Sequence, residues 1–250
     1  MHGHRLLLAF ALLSLCLHCP AAAAPALPQV VLWAWERPCD LGWIDPHGVG
    51  VAPLVLTVRL DDAGLALLPR RQPLRFPPGA PLVLVARVET DARRPPRLDS
   101  DLASKTAAAI AAFGGLPGAA AVQVDFDATV SEREFYRDLL AALRQRLPAR
   151  IPLSITALAS WCLGDRWLAG LPIDEAVPML FRMGVDDEQV RHRLDAGEDF
   201  AEPLCRASVG LATDEPAPRF PPGRRRYLFL AGGCGPEALK QAPLSAEAVR

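Results

Sequence analysis

Two periods of apolar patterning alternate along this chain. Short runs rich in Val, Ile and Leu recur at 30–35 (VVLWAW), 51–60, 81–89, 121–127 (AVQVDFD), 152–159, 176–182, 207–212 and 226–231 (RYLFLA). Their length and β-branched content predict eight strands. Between the third and fourth lies Asp101–Phe113, an Ala-rich stretch of helical periodicity that ends at Gly114-Gly115. After the fourth, Ser131-Glu132-Arg133-Glu134 reads as a capping box, and Phe135, Leu139, Leu140, Leu143 and Leu147 then share one helical face. Glu132 and Glu134 read as helix-start residues. A further helix is predicted over Asp186–Asp195.

Strands alternating with helices imply a parallel sheet joined by right-handed crossovers. Eight of them fit an α/β fold of the (β/α)8, TIM-like barrel type. The first two connections are irregular, being too short or too rich in proline for full helices. An open doubly wound sheet is the alternative. No G-x-G-x-x-G follows any strand, which removes the dinucleotide-binding version of that alternative, and no cofactor is expected.

The first residues, MHGHRLLLAFALLSLCLHCPAAAAPALPQ, change the setting rather than the fold. One arginine, an apolar run over Leu6–Leu17 and then small residues form the arrangement of a secretory signal peptide. Cleavage after Ala23 or after Ala26 both fit, and an uncleaved anchor is the competing possibility. The run is too short to span a bilayer. Leu15 and His18, which precede the two early cysteines, are not the small residues of a lipoprotein site. The expected organisation is a signal peptide over 1–24, one barrel domain over 27–240 and a C-terminal tail over 241–250, in a periplasmic or secreted protein. No later segment has the length and hydropathy of an integral membrane span. Without Arg5 the chain carries 26 basic and 28 acidic residues, one fewer basic than the full sequence, for a formal charge of −2. That near balance gives no electrostatic reason to expect nucleic acid as a partner.

Four cysteines remain beyond Cys16 and Cys19: Cys39, Cys162, Cys205 and Cys234. Outside the cytoplasm they are expected to pair, and four cysteines allow three full pairings. Cys39 lies just past the first strand and Cys234 just past the eighth, which are neighbours if the barrel closes. A Cys39–Cys234 disulfide would then staple the chain ends, leaving Cys162 and Cys205. No C-x-x-C or H-x-x-x-H spacing supports a zinc site, and no metal is expected.

Candidate chemistry sits at the strands' C-terminal ends, where barrel enzymes place it. In the fourth strand Val122, Val124 and Phe126 share the face suited to packing under helices. Gln123, Asp125 and Asp127 share the other face, pointing into the barrel. Two carboxylates two residues apart on a strand lie about 7 Å apart. Each raises the cost of ionising the other, which is how one carboxyl remains a proton donor near neutral pH. Thr57, Arg59, Arg87, Glu89, Ser154, Thr156 and Arg182 follow the same alternation. Trp33, Trp35, Trp161 and Phe181 gather near strand ends, with Trp167 soon after. A pocket of acids, arginines and flat apolar faces suits a sugar, whose C–H faces stack on rings while its hydroxyls take hydrogen bonds. The competing readings are that the arginines neutralise Asp125, Asp127 and Glu89 in a buried polar layer, and that the tryptophans are core. His47 and His192 are read as surface residues.

LWAWERP at 32–38, VQVDFDAT at 122–129, LSITALASWCLGDRW at 153–167 and DEAVPMLFRMG at 174–184 together resemble a bacterial family, domain of unknown function 3142. A weaker resemblance is to the chitinase-like glycoside hydrolases of family 18. Their fourth strand ends D-x-D-x-E, with the last acid as proton donor. The matching positions here read Gln123-Val124-Asp125-Phe126-Asp127, so the first acid is an amide and the last is the shorter Asp. That shortening draws the carboxyl back by about 1.5 Å, one carbon–carbon bond. Pro178-Met179-Leu180-Phe181 is similar to that family's sixth-strand Met-x-Tyr, with Phe181 in place of Tyr.

The resemblance implies a barrel that hydrolyses a glycan, with Asp127 as proton donor and Asp125 as its electrostatic partner. Gln123, Glu89, Arg182, Trp33, Trp35, Trp161 and Phe181 are the expected substrate contacts. A non-catalytic barrel that binds a saccharide or an envelope partner is the second reading. A metal-dependent hydrolase using Asp125, Asp127 and Glu89 as oxygen ligands is the third.

Overall fold

The computed structural model describes residues 26–116 and 118–240; the expected signal peptide over 1–24 and the expected tail over 241–250 lie outside them. Eight parallel strands run in chain order as β1 (Val30–Ala34), β2 (Val49–Asp61), β3 (Leu82–Thr90), β4 (Ala119–Asp125), β5 (Leu153–Leu158), β6 (Glu175–Met179), β7 (Ser208–Ala212) and β8 (Arg225–Phe229). Each pairs with its neighbours in sequence order. Closure follows because β1 pairs on one side with β8, Trp33 opposite Phe229, and on the other with β2, Ala34 opposite Pro53. The chain is thus a closed (β/α)8 barrel, and the open-sheet alternative is excluded.

Strand alternation sorts the apolar residues into two shells, as a closed sheet requires. Val31, Trp33, Ala52, Leu54, Val83, Val85, Ala121, Val177, Tyr227 and Phe229 fill the barrel interior. Leu32, Val51, Ala86, Val88, Val122, Val124 and Ile155 face outward into a larger core under the helices. A register shift between Leu54 and Leu56 inserts one residue into β2, so that Leu54 and Thr57 both face inward although three positions apart.

The helices follow their local signals. In α1 (Ser100–Gly114), Asp99 caps the start by accepting from the Leu102 N–H at 3.0 Å, and Leu102, Ala103, Thr106, Ala107 and Ile110 form the buried stripe. Then come α2 (Arg133–Arg146), α3 (Ala159–Leu163), α4 (Asp187–Asp195) and α5 (Glu237–Lys240). Before α2 the capping interaction lies two residues earlier than the sequence suggested. The Glu132 carboxylate accepts from the Thr129 N–H at 2.7 Å and its hydroxyl at 2.8 Å, so Thr129 and Glu132 are the pair, not Ser131 and Glu134. Glu132 also accepts from the Thr90 hydroxyl at 2.6 Å, tying this turn to the end of β3.

The first two connections contain no helix. Between β2 and β3 the chain turns at Gly64, whose φ of 111° is open to glycine, and returns antiparallel along β2 over Gly64–Pro69. Three strands therefore stand together on one side of the mouth: Thr57 pairs with Arg87 of β3 on one edge and with Leu68 of the return strand on the other. Cys39 and Cys234 are joined, with Cα atoms 5.3 Å apart, and Cys162 and Cys205 likewise at 5.9 Å.

Candidate active site

Depth along β4 decides what each of its polar side chains does. Gln123 is fully buried. Its Oε1 accepts from the Trp33 indole N–H at 2.8 Å, and its Nε2 donates to Ser154 Oγ at 3.1 Å. Ser154 donates to Glu175 at 3.1 Å, and Glu175 also accepts from the Tyr227 hydroxyl at 3.0 Å and from Arg225 at 2.8 Å. This polar chain satisfies buried groups that would each cost about 1–3 kcal/mol if left alone. Gln123 is therefore not a substrate contact, as its position in the acid motif suggested; it fixes the ring of Trp33.

One step higher, Asp125 is 2% exposed. Arg87 Nη1 donates to its Oδ2 at 2.8 Å, and the Thr156 hydroxyl donates to its Oδ1 at 2.7 Å. Burial pushes the Asp125 carboxyl above the usual carboxylate range; Arg87 and Thr156 pull it back without cancelling the effect, and the nearby Asp127 adds to the rise. Arg87 responds differently. Burial pulls its guanidinium down, but the charges of Asp125 and Glu89 outweigh that and raise it. Arg87 also donates to Glu89 Oε1 at 2.8 Å, and Arg59 stands 3.9 Å from the other oxygen of Glu89. The charge-neutralising layer anticipated from the sequence thus exists, but it covers only Asp125 and Glu89. Arg87 thereby occupies two of the three carboxylates, Asp125 and Glu89, that the metal-ligand reading would use.

Asp127 lies two residues past the strand, exposed at the mouth. Among the described residues, no hydrogen bond or salt bridge reaches its carboxylate. It borders a cavity of about 180 Å³ together with Asp125, Arg87, Thr156, Ser160 and Arg182. The apolar walls are Trp33, Trp35, Met179, Phe181 and Phe229. Trp33 forms the centre of this aromatic set, 6.4 Å from Trp35, 6.1 Å from Phe181 and 5.3 Å from Tyr227 between ring centroids. Phe181 stacks on Phe229 at 5.8 Å.

Arg182 reaches this site from a loop, because β6 ends at Met179 rather than continuing to residue 182. Its φ of 51° is a left-handed conformation that costs a non-glycine residue about 1 kcal/mol or more. Three contacts hold it there: its N–H donates to Glu215 at 3.0 Å, its Nε stands 3.9 Å from the other oxygen of Glu215, and its guanidinium lies 4.7 Å over the Phe229 ring. Glu89 is also at the mouth, in a neighbouring depression with Trp35 and Phe229.

Trp161 is not part of the site. It is packed edge-on against Trp167 at 4.9 Å in the outer core, beneath the Arg133 guanidinium, so the expectation of a substrate contact there is corrected. Its strand, β5, ends at Leu158, and α3 then carries the side chain outward.

Several site residues escaped the sequence reading. Phe229 shares the inward alternation of β8 and was legible in principle, as was Glu175, one residue before the predicted strand start. Arg70 had no local signal. It follows the return strand, and its guanidinium donates to the Ala34, Trp35 and Arg37 carbonyls at 2.8, 2.6 and 2.7 Å. Burial lowers its pKa, and Glu36 works against that shift. Arg37 in turn donates to the Leu230 and Ala231 carbonyls. Together the two arginines fix the Trp35 rim to the end of β8.

Comparison with known proteins gives a partial family match and a distant structural likeness. The profile of a domain of unknown function, DUF3142, matches residues 78–180, which run from just before β3 through β6 and include both aspartates. None of the curated proteins compared matches this sequence. Among solved structures, the crystal structure of the Bacillus cereus spore cortex-lytic enzyme SleL is similar at a TM-score of 0.45 and 15% identity, over 75% of this chain and 52% of that one. The chain thus spans about half the length of that enzyme.

Proposed function

We propose that this protein is an exported glycan hydrolase in which Asp127 is the general acid. The observation that carries the proposal is the division of labour between two carboxylates on one strand end. Asp125 is buried and held by Arg87 and Thr156, while Asp127 is unpaired at the edge of an aromatic cavity. An unpaired carboxyl at the mouth can reach a bound ligand. It would pass its proton to the glycosidic oxygen as the anomeric C–O bond breaks; water then adds to the anomeric carbon and returns a proton to Asp127. The aromatic walls orient the sugar face. Two disulfides fit a compartment where such bonds persist, which supports export.

The Arg87–Asp125 pair favours a second reading, a barrel that binds a saccharide without turning it over. A screen of glycans for released reducing ends, run beside calorimetric binding on the same panel, separates the two. Turnover that is lost in Asp127→Asn supports the hydrolase. Saturable binding with no turnover of any glycan supports the binder.

A further inference from the structure

Beside the Asp127 cavity lies a second depression of about 490 Å³, and the two share Trp35, Arg87 and Phe229. The second is completed by Glu36, Arg37, Leu54, Thr57 and Glu89. No assigned role accounts for it. One wall is the part of β2 and β3 that continues past the rim, with Thr57 paired to Arg87 on one side and to Leu68 on the other, while Trp35, Glu36 and Arg37 come from the loop after β1.

Each charged group lining it already has a partner within the protein. Arg87 is bonded to Glu89 and Asp125, and Arg37 to two backbone carbonyls. Glu36 accepts from the Arg71 and Gln72 N–H groups at 2.9 and 3.0 Å. What remains without a hydrogen-bond partner among the described residues is the Thr57 hydroxyl, the Trp35 indole N–H and the second carboxylate oxygens, Oε2, of Glu36 and Glu89. A site whose cations are already held by the protein, and whose open groups are a hydroxyl, an indole N–H, two carboxylate oxygens and aromatic faces, suits an uncharged polyol, whose hydroxyls can donate to those oxygens while an anionic sugar would be repelled by them.

We propose that this depression is a second saccharide subsite, and that the ligand is a neutral oligosaccharide of at least two units lying across the side chains both depressions share. The proposal rests on the glycan assignment above and adds to it the charge, the minimum length and the direction of the chain, from Asp127 toward β2.

The test is calorimetric titration of the purified protein with chito- and cello-oligosaccharides of one to four units and with galacturonate oligomers of the same lengths. The expected result is at least a tenfold gain in affinity between the monomer and the best neutral tetramer. Thr57→Trp, which fills the second depression, should bring the tetramer to the monomer's affinity and leave monomer binding unchanged. Thr57→Gln, a smaller change that preserves folding if the tryptophan variant melts early, should remove at least threefold of the gain. Length-independent binding in the wild type, or a full length gain in both variants, overturns the second subsite. Galacturonate oligomers binding as tightly as neutral ones overturn the assignment of charge. If length dependence is absent while Asp127→Asn still abolishes turnover, the subsite fails and the hydrolase stands. If no saccharide is bound or hydrolysed, both fail.

Discussion

Arg87 bonds Asp125 at 2.8 Å and forms no bond with Asp127, two residues further along the same strand end. One guanidinium thus distinguishes two carboxylates that strand alternation places on the same face. It fixes the inner one as a buried partner and leaves the outer one available to solvent and ligand.

Arg87→Met leaves Asp125 buried with only Thr156 to bond it. The expected cost is about 2–3 kcal/mol, toward the low end for breaking a buried pair because part of the Arg87 side chain is solvent-exposed. Asp125→Asn in the Arg87→Met background should recover part of that loss, since an amide is cheaper to bury unpaired than a carboxylate. Chemical denaturation of the four proteins in this cycle measures the coupling, expected to exceed 1 kcal/mol. Additive effects would mean that the pair contributes nothing beyond its separate residues.

The pH dependence of stability has a defined sign. Burial raises the Asp125 carboxyl above its ordinary value of 3.8, so the folded protein holds that proton more firmly than the unfolded chain does. Its contribution to stability is complete below the unfolded value and is lost as pH rises through the raised folded value. Wild-type stability relative to Asp125→Asn should therefore decline as pH is raised from about 3.8. Denaturation midpoints from pH 3 to 7 check this; a wild-type advantage that grows with pH is the signature of the opposite shift.

Gly210 in β7 sits directly under the aromatic site. A Cβ there would lie 2.7 Å from Trp33 Cη2 and 3.1 Å from Cζ3, and the ring cannot yield freely because Gln123 holds its N–H. Gly210→Ala should cost about 1–3 kcal/mol by overpacking and displace Trp33. Gln123→Leu should cost a similar amount by leaving the indole N–H unsatisfied and removing one of the two hydrogen bonds of Ser154. Thermal melts together with tryptophan emission report both. Unchanged emission in Gly210→Ala would show that the ring is not held as described.

The Cys39–Cys234 bond closes a span of 195 residues and ties the segment after β1 to the segment after β8. The Trp43 indole N–H donates to the Cys234 carbonyl at 2.7 Å beside it. Cys39→Ser/Cys234→Ser should cost about 2–5 kcal/mol through the greater freedom of the unfolded chain. A melting temperature equal to that of the wild type would show that the bond adds nothing to barrel closure.

The barrel was legible because each strand's period-2 alternation is long enough to name its inward face. Val122, Val124 and Phe126 went to the helix side and Asp125 to the interior, as read. The Cys39–Cys234 pairing followed from closure alone. What the sequence could not supply was depth and partner choice. Gln123 and Asp125 differ by one strand step, yet one is a structural amide and the other a site carboxyl, because Trp33 and Arg87 arrive from different strands. Trp161 looked like a strand-end aromatic until the helical turn after Leu158 carried it outward. Arg182 and Arg70 act from loops, where no periodicity announces direction.

The most direct measurement of the central claim is the initial rate of reducing-end release from the best glycan substrate by wild type and by Asp127→Asn, at equal folded concentration and matched substrate affinity. The account predicts a loss of at least 100-fold in kcat with little change in binding, the scale expected for a general acid. Equal rates in the two proteins would contradict it and remove Asp127 from the chemistry.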